Sequence, residues 1–105
     1  MAKVTVNPGV CGFKTVISAN SEDMQNAILE ITTECPYIKA MGEELKVVDG
    51  FTECFSGFGD GEVCKAAAKH CKHPSCPVPS AVLKAVEVAC RLALPSDVSF
   101  IVTND

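Results

Sequence analysis

Four runs along the chain have the alternating or β-branched pattern of strands. The first two, Ala2–Asn7 and Phe13–Ala19, are separated by a turn at Pro8-Gly9. A third run covers Leu45–Asp49, and the pattern allows it to continue through Phe51–Phe55. A fourth, with the sequence V-S-F-I-V, covers Val98–Val102. The chain therefore has strand-forming segments at both ends and in the middle.

Between these runs the apolar positions follow a helical period. Asn20-Ser21 provides an N-cap, and apolar residues follow at i, i+3, i+4 and i+7, namely Met24, Ala27, Ile28 and Ile31. This pattern predicts a helix that ends near Cys35, because the residue before a proline is disfavoured in the α region. Three further helices are predicted, over Pro36–Met41, Glu62–Cys71 and Pro79–Leu92.

The predicted order of elements is β-β-α-(α)-β-α-α-β. Such a mixture is typical of an α+β fold, in which two to four helices pack on a small mixed sheet of about four strands. No linker, repeat or low-complexity tract interrupts the pattern. Since a chain of 105 residues can bury one hydrophobic core, we expect a single domain over residues 1–105.

The amino-acid composition and net charge disfavour several classes of function. The chain is 48% hydrophobic and 21% charged, within the globular range. A net charge of −4 disfavours nucleic acid and anionic membranes as partners. No apolar run approaches the ~20 residues that span a bilayer, and the start of the chain has no signal-peptide pattern. These features favour a soluble cytoplasmic protein.

Cysteine is the unusual component. Seven cysteines in 105 residues are an odd number, so internal disulfides cannot pair them all. Clustered cysteines in a reducing compartment more often bind metal or perform thiol chemistry. The cysteines are therefore the candidates for a functional site.

Three cysteines lie in predicted breaks between elements. Cys11 lies in a glycine-containing loop, where close backbone approach is possible. Cys35 and Cys76 each precede a proline that leads into a helix. Free backbone N–H groups and the helix dipole lower the pKa of a thiol at such a position. We therefore expect these three thiolates to form one site.

The other four cysteines have stronger structural alternatives. Cys90 lies on the apolar face of a patterned helix and is predicted to pack in the core. Packing is also slightly favoured for Cys54. Cys64 and Cys71 are seven residues apart on one helical stripe, a spacing that suits a buried face as well as a ligand pair.

Thiolates prefer zinc, copper(I) or iron–sulfur clusters. The chain has no C-x₂-C knuckle of the kind that zinc fingers use, and an iron–sulfur cluster held by separated loops needs none. We therefore expect a cluster of the [4Fe–4S] type, with zinc as the alternative, held by Cys11, Cys35 and Cys76. Cys71 is the preferred fourth ligand, and the alternatives are Cys64, Cys54, His73 or an exogenous molecule.

The segment C-P-V-P at Cys76–Pro79, with the L-P-S-D-V run at Leu94–Val98, resembles the C-P-x-P region of the TusA/SirA sulfur-carrier family. In that family the cysteine opens a helix and carries a persulfide, and the motif lies after the first strand. Here the similarity covers about residues 71–102 and lies in the last third of the chain. The resemblance therefore implies a persulfide role for Cys76 alone. The remainder is similar to a small cysteine-rich prokaryotic family without an assigned activity.

The leading hypothesis is thus a metal- or cluster-binding protein that serves electron transfer, or cluster or sulfur delivery, with a protein partner. A persulfide carrier that uses Cys76 is the first alternative. The second is a small interaction module whose cysteines only pack. No catalytic residue is predicted.

Overall fold

The computed structural model covers residues 1–105 and contains one antiparallel sheet with four helices. Three strands form a meander, β1 (Ala2–Val6), β2 (Thr15–Asn20) and β3 (Asn26–Thr33), and the short β4 (Val47–Asp49) pairs with the start of β3. The α+β class and the number of strands are as predicted.

The helices are α1 (Pro36–Glu44), α2 (Gly50–Phe55), α3 (Glu62–His70) and α4 (Val78–Ala89). Helix α4 packs on β1 and β2, while α1 packs on β3 and on α3. The buried positions of α4 recur at helical spacing and form the centre of the core: Val78, Val82, Ala85 and Val86. No helix is both long and apolar enough to cross a membrane.

One face of the sheet is buried under the helices. On β2 the alternate residues Thr15, Ile17 and Ala19 are buried, while Val16 and Ser18 are only half-buried. This is the period-2 alternation that an antiparallel sheet shows when one of its faces meets the core. The register of the three-strand meander carries no bulge.

The predicted helix over the region of Met24–Ile31 is wrong, because this segment is strand β3. Ala27 and Leu29 are buried and Ile28 is exposed, so the burial follows a strand period and not the helical spacing. The apolar set satisfied both periods, and pairing of residues 28–33 with β2 decided between them. Asp23 forms the turn, since its carboxylate accepts the backbone N–H groups of Gln25 and Asn26 at 3.0 and 2.8 Å.

Two further assignments differ from the prediction. Phe51–Phe55, where a strand continuation was allowed, belongs to helix α2, because the Asp49 carboxylate accepts the backbone N–H groups of Phe51 and Thr52 and caps it. Val98–Val102 has no regular secondary structure and no strand partner, so the last predicted strand is absent from the sheet.

The start of α3 is capped by a residue from another helix. The two carboxylate oxygens of Glu53, a buried side chain, each accept one backbone N–H, from Glu62 and Val63, at 2.8 Å. The helix dipole favours a negative charge at this end. A Cβ at Gly61 would come within 2.7 Å of the carboxylate, so glycine allows the close approach. Glu53 therefore links α2 to α3.

We expect Asp23→Ala to destabilise the protein in a pH-dependent way. Backbone N–H groups of Asn26 and Gln25 lower the pKa of Asp23 from 3.8 to about 2. A carboxylate whose pKa is lower in the folded state stabilises the fold above its unfolded pKa, and this contribution is lost as the pH falls through the folded value. Denaturant titrations should show the difference between variant and wild type in full above pH 4 and shrinking towards pH 2. Glu22→Ala is the control, and a difference independent of pH would contradict the assignment.

Candidate functional site

Two of the connections that carry cysteines leave the sheet at the same end. The last row of the sheet pairs Val6 with Thr15, and Thr15 with Thr33. The hydroxyls of Thr15 and Thr33 lie 2.9 Å apart in a buried hydrogen bond. The loop of Cys11 joins Val6 to Thr15, and Cys35 lies two residues beyond Thr33. These two cysteines therefore start from one edge of the fold.

The backbone of Cys35 is hydrogen-bonded to the last row of the sheet, the row that contains Thr33. Its backbone N–H donates to the Thr33 hydroxyl at 3.1 Å. Cys35 is the N-cap of α1 and Pro36 occupies the first helical turn, as the sequence predicts. The half-buried side chain packs against the core.

Helix α4 brings Cys76 to the same end. At the far end of this helix, the sulfur of Cys90 lies 3.7 Å from the carbonyl oxygen of Gln25, in the turn between β2 and β3. A helix of 12 residues is ~18 Å long and spans the sheet, so its start lies near the Val6–Thr15 row. Cys76 directly precedes the N-cap Pro77, as predicted. Its backbone N–H donates to the His73 carbonyl in a tight turn.

The surroundings of Cys76 show which thiols are its neighbours. Burial raises the pKa of the Cys76 thiol to about 11, so the lowered pKa that the sequence predicts for a thiol before a helix start is wrong for Cys76. The backbone N–H of Val78 acts in the opposite direction, as a hydrogen-bond donor to the sulfur, and the nearby Cys71 and Cys11 thiols raise the pKa further. The Cys71 thiol of the same connection and the Cys11 thiol of the β1–β2 loop are therefore near enough to Cys76 to affect its pKa.

A cation–π contact connects the Cys71 segment to the helix that follows Cys35. The Lys72 ammonium lies 5.8 Å from the centre of the Tyr37 ring. Nearby, Lys69 Nζ donates a hydrogen bond to Glu44 Oε1 at 2.7 Å, and His70 Nε2 lies 2.9 Å from the same oxygen. Both side chains lower the pKa of the Glu44 carboxyl. The end of α3 is thus fixed against α1.

We call the part of the molecule that contains Cys11, Cys35, Cys71 and Cys76 the cysteine end. These four are the predicted ligand set. Cys71 and Cys11 interact with Cys76, and Cys35 lies at the same end of the sheet. Cys11 is exposed and the other three are half-buried.

The remaining cysteines lie elsewhere. Cys90 is buried, with 2% of its surface exposed, which confirms the predicted packing role. Cys54 lies beside it, and burial raises the pKa of Cys54 to about 11, with Glu87 and Cys90 adding to the effect. Cys64 is in the first turns of α3, the end that Glu53 holds against α2. Cys54 and Cys64 are therefore the weaker alternatives for a fourth ligand, whereas the exposed His73 lies in the same turn as Cys76.

The loop of Cys11 has the backbone freedom that its glycines predict. Gly9 and Gly12 have φ values of +94° and +73°, in the left-handed region where a Cβ is strained. No atom lies within 4 Å of a Cβ built at either glycine. Space therefore surrounds the exposed Cys11 loop.

No group of three or more His, Cys, Asp or Glu side chains lies close enough together to hold a single metal ion. The four predicted ligands thus share one end of the molecule without forming a compact coordination shell. A single zinc ion requires thiolates in direct tetrahedral contact with it.

The sequence did not predict the contacts that hold the site in place. Asp49 and Glu53, which cap α2 and α3, and the Lys72–Tyr37 pair were all missed. Asp49 could have been found, because an aspartate directly before Gly50-Phe51-Thr52 is a common N-cap pattern. The other contacts join residues far apart in sequence and leave no local signal.

A family model, described as a family of unknown function (DUF6951), matches residues 2–102. The chain therefore belongs to this family, and the match covers almost its full length. No curated protein and no solved structure matches the chain. The similarity of Cys76–Pro79 to the sulfur carriers stays a prediction.

We expect Cys71→Ala to lower the pKa of Cys76, because the Cys71 thiol is one of the groups that raise it. Burial is the largest cause and is retained, so the value should fall from about 11 but stay above 9.0. Alkylation rates of Cys76 against pH, resolved by peptide mass spectrometry, measure this shift. Cys64→Ala is the matched control and should leave the titration of Cys76 unchanged. An equal shift in both variants would contradict the contact.

Proposed function

We propose that the cysteine end binds an iron–sulfur cluster through Cys11, Cys35, Cys71 and Cys76. The observation that carries the proposal is that these four cysteines come from three separate connections, β1–β2, β3–α1 and α3–α4, which lie at one end of the fold. A cysteine that only packs has no reason to lie in a connection between elements, whereas cluster ligands are commonly supplied from loops. Four thiolates are the usual ligand set of such a cluster.

The backbone around the site suits an anionic group. Helix α1 begins directly at Cys35 and α4 begins one residue after Pro77, so two helix N-termini face the cysteine end. Their free N–H groups and dipoles favour negative charge. The Val78 N–H already donates to the Cys76 sulfur. These backbone groups would partly offset the burial that raises the pKa of Cys76.

We propose a cluster in preference to zinc, since no three of these side chains lie close enough together to hold one ion. A cluster distributes its thiolates over several iron atoms, so the sulfurs need not meet around one ion. The open Cys11 loop, with its two left-handed glycines, has room to complete the set. When bound, the cluster would supply one-electron chemistry, and the protein would hold it with these four thiolates near the surface.

The exposure of Cys11 supports a protein partner that receives electrons, a cluster or sulfur. The surface position of this ligand leaves one side of the site accessible to another protein. A reducing compartment such as the cytoplasm would keep all seven thiols free. We therefore propose a cytoplasmic accessory or electron-transfer protein.

Anaerobic purification tests the proposal. We expect a coloured protein with visible charge-transfer absorption and about four iron and four sulfide atoms per chain. Serine substitution of any one of Cys11, Cys35, Cys71 or Cys76 should remove most of the iron. Cys64→Ser is the matched control, since it replaces a half-buried cysteine outside the site, and it should retain full iron content.

Two results would refute the cluster. One is a colourless protein that contains neither iron nor zinc after anaerobic purification and after reconstitution with ferrous iron and sulfide. The other is equal loss of iron in the Cys64→Ser control. Zinc in place of iron would support the alternative metal and contradict the cluster.

A second candidate function is a persulfide carrier, favoured by the contact between Cys71 and Cys76. The Cys76 thiolate would accept a sulfur atom from a donor persulfide and release the donor as a thiolate. Attack of the Cys71 thiolate on the inner sulfur would then form a Cys71–Cys76 disulfide and release hydrosulfide. The pKa of about 11 keeps Cys76 protonated at neutral pH, which makes it the weaker of the two proposals.

Intact-mass measurement distinguishes the two. A carrier incubated with polysulfide should gain the mass of one sulfur, lose it on reduction and show no gain as Cys76→Ser. Cys11→Ser and Cys35→Ser should leave the gain unchanged, although both should abolish cluster binding. A sulfur adduct that survives in Cys76→Ser would contradict the carrier function.

A further inference from the structure

The segment Leu94–Asp105, here called the extended segment, has no regular structure. It makes no backbone hydrogen bond and its apolar side chains face solvent. Val98 is 62% exposed, Phe100 79%, Ile101 91% and Val102 90%. Five residues in the sequence V-S-F-I-V have high strand propensity and no strand to pair with. An exposed apolar strand of this kind is a template for pairing.

The direction in which the extended segment leaves α4 is set by the end of this helix. Arg91 has a φ of +60°, and the Leu92 N–H donates to the Glu87 carbonyl at 2.8 Å, as in a Schellman-type cap. Pro95 then restricts Leu94 to extended backbone. The molecule measures 45 × 27 × 25 Å, a long shape for a small α+β fold. The cap and the proline therefore direct the segment outwards.

The sheet has an open edge that matches the extended segment. Strand β1 pairs with β2 on one side only. The Leu29 N–H donates to the Lys46 carbonyl, so the backbone groups of Leu29 point towards β4. Because the backbone groups of successive strand residues point to opposite sides, this bond fixes which residues of each strand bond to which neighbour. By that alternation Val4 bonds to β2, and the backbone groups of Lys3 and Thr5 point away from the sheet. The five-residue strand β1 thus offers a free row of donors and acceptors.

We propose that Val98–Val102 of one copy pairs with the β1 edge of a second copy of this chain. Both segments are five residues long. In a strand, Val98, Phe100 and Val102 share one face, and on the helix side they would extend the core beside the half-buried Val4. Reciprocal exchange between two copies closes a two-fold dimer and leaves neither segment exposed.

The other edges of the sheet are poorer partners. Strand β4 has three residues. Strand β3 extends past the end of β4. In that part only Ile31 and Thr33 have backbone groups that point to the open edge before α1 begins. The β1 edge is the only one that accepts a five-residue strand along its full length.

Light scattering coupled to gel filtration tests the exchange. The wild type should have twice the 11.1 kDa mass of one chain across a dilution series, and Phe100→Glu should shift it to 11.1 kDa. Asn104→Glu places the same charge in the same segment outside the pairing residues and should remain dimeric. Because Phe100 is 79% exposed in the single chain, the variant should keep the wild-type circular dichroism.

Amide hydrogen exchange identifies the edge. The Lys3 and Thr5 amides should exchange slowly in the wild type and quickly in Phe100→Glu. A monomeric wild type with slow Lys3 and Thr5 amides would show that the segment folds back on its own chain. That result would overturn the proposal, as would a monomer with fast amides or a dimer that Phe100→Glu leaves intact.

Discussion

The hydrogen bond between the buried hydroxyls of Thr15 and Thr33 is the contact on which the cysteine end depends. It closes the last row of the sheet, where β1, β2 and β3 end together. The Thr33 hydroxyl also accepts the backbone N–H of Cys35. One pair of threonines therefore determines where the Cys11 loop begins and where α1 starts. A buried hydrogen bond of this kind contributes about 1 kcal/mol, and leaving one hydroxyl unpaired costs more.

The two ends of the molecule differ in how closely their cysteines are packed. Helix α4 runs the length of the sheet, with Cys76 before its first turn and Cys90 after its last. Cys90 packs against Gly50, and a Cβ on residue 50 would lie only 2.5 Å from the Cys90 sulfur. The protein is therefore closely packed at this end. The opposite end is formed by connections between elements and has half-buried and exposed thiols. The two ends therefore differ in how far their cysteines are open to solvent.

Side-chain contacts hold in place the helices next to the connections that carry the cysteines. Asp49 and Glu53 cap α2 and α3 with carboxylates, and the Glu44 ion pairs fix the end of α3 against α1. The α3 end of the segment between α3 and α4 is thus held against α1, while the segment's cysteines stay half-buried. A binding site on loops positioned by a rigid scaffold is a common arrangement in proteins.

Local sequence was sufficient to determine which cysteines lie in breaks and which lie on helical faces. Prolines after Cys35 and Cys76 and glycines around Cys11 act within a few residues, so their effects could be predicted.

The tertiary structure decided what depends on distant partners. Asn26–Thr33 satisfied both a helical and a strand period, and only pairing with β2 selected the strand. Val98–Val102 has the propensity of a strand but no partner within the chain, because a strand exists only when a neighbour supplies its hydrogen bonds. The meeting of Cys11, Cys71 and Cys76 likewise depends on where α3 and α4 pack, which no local pattern encodes.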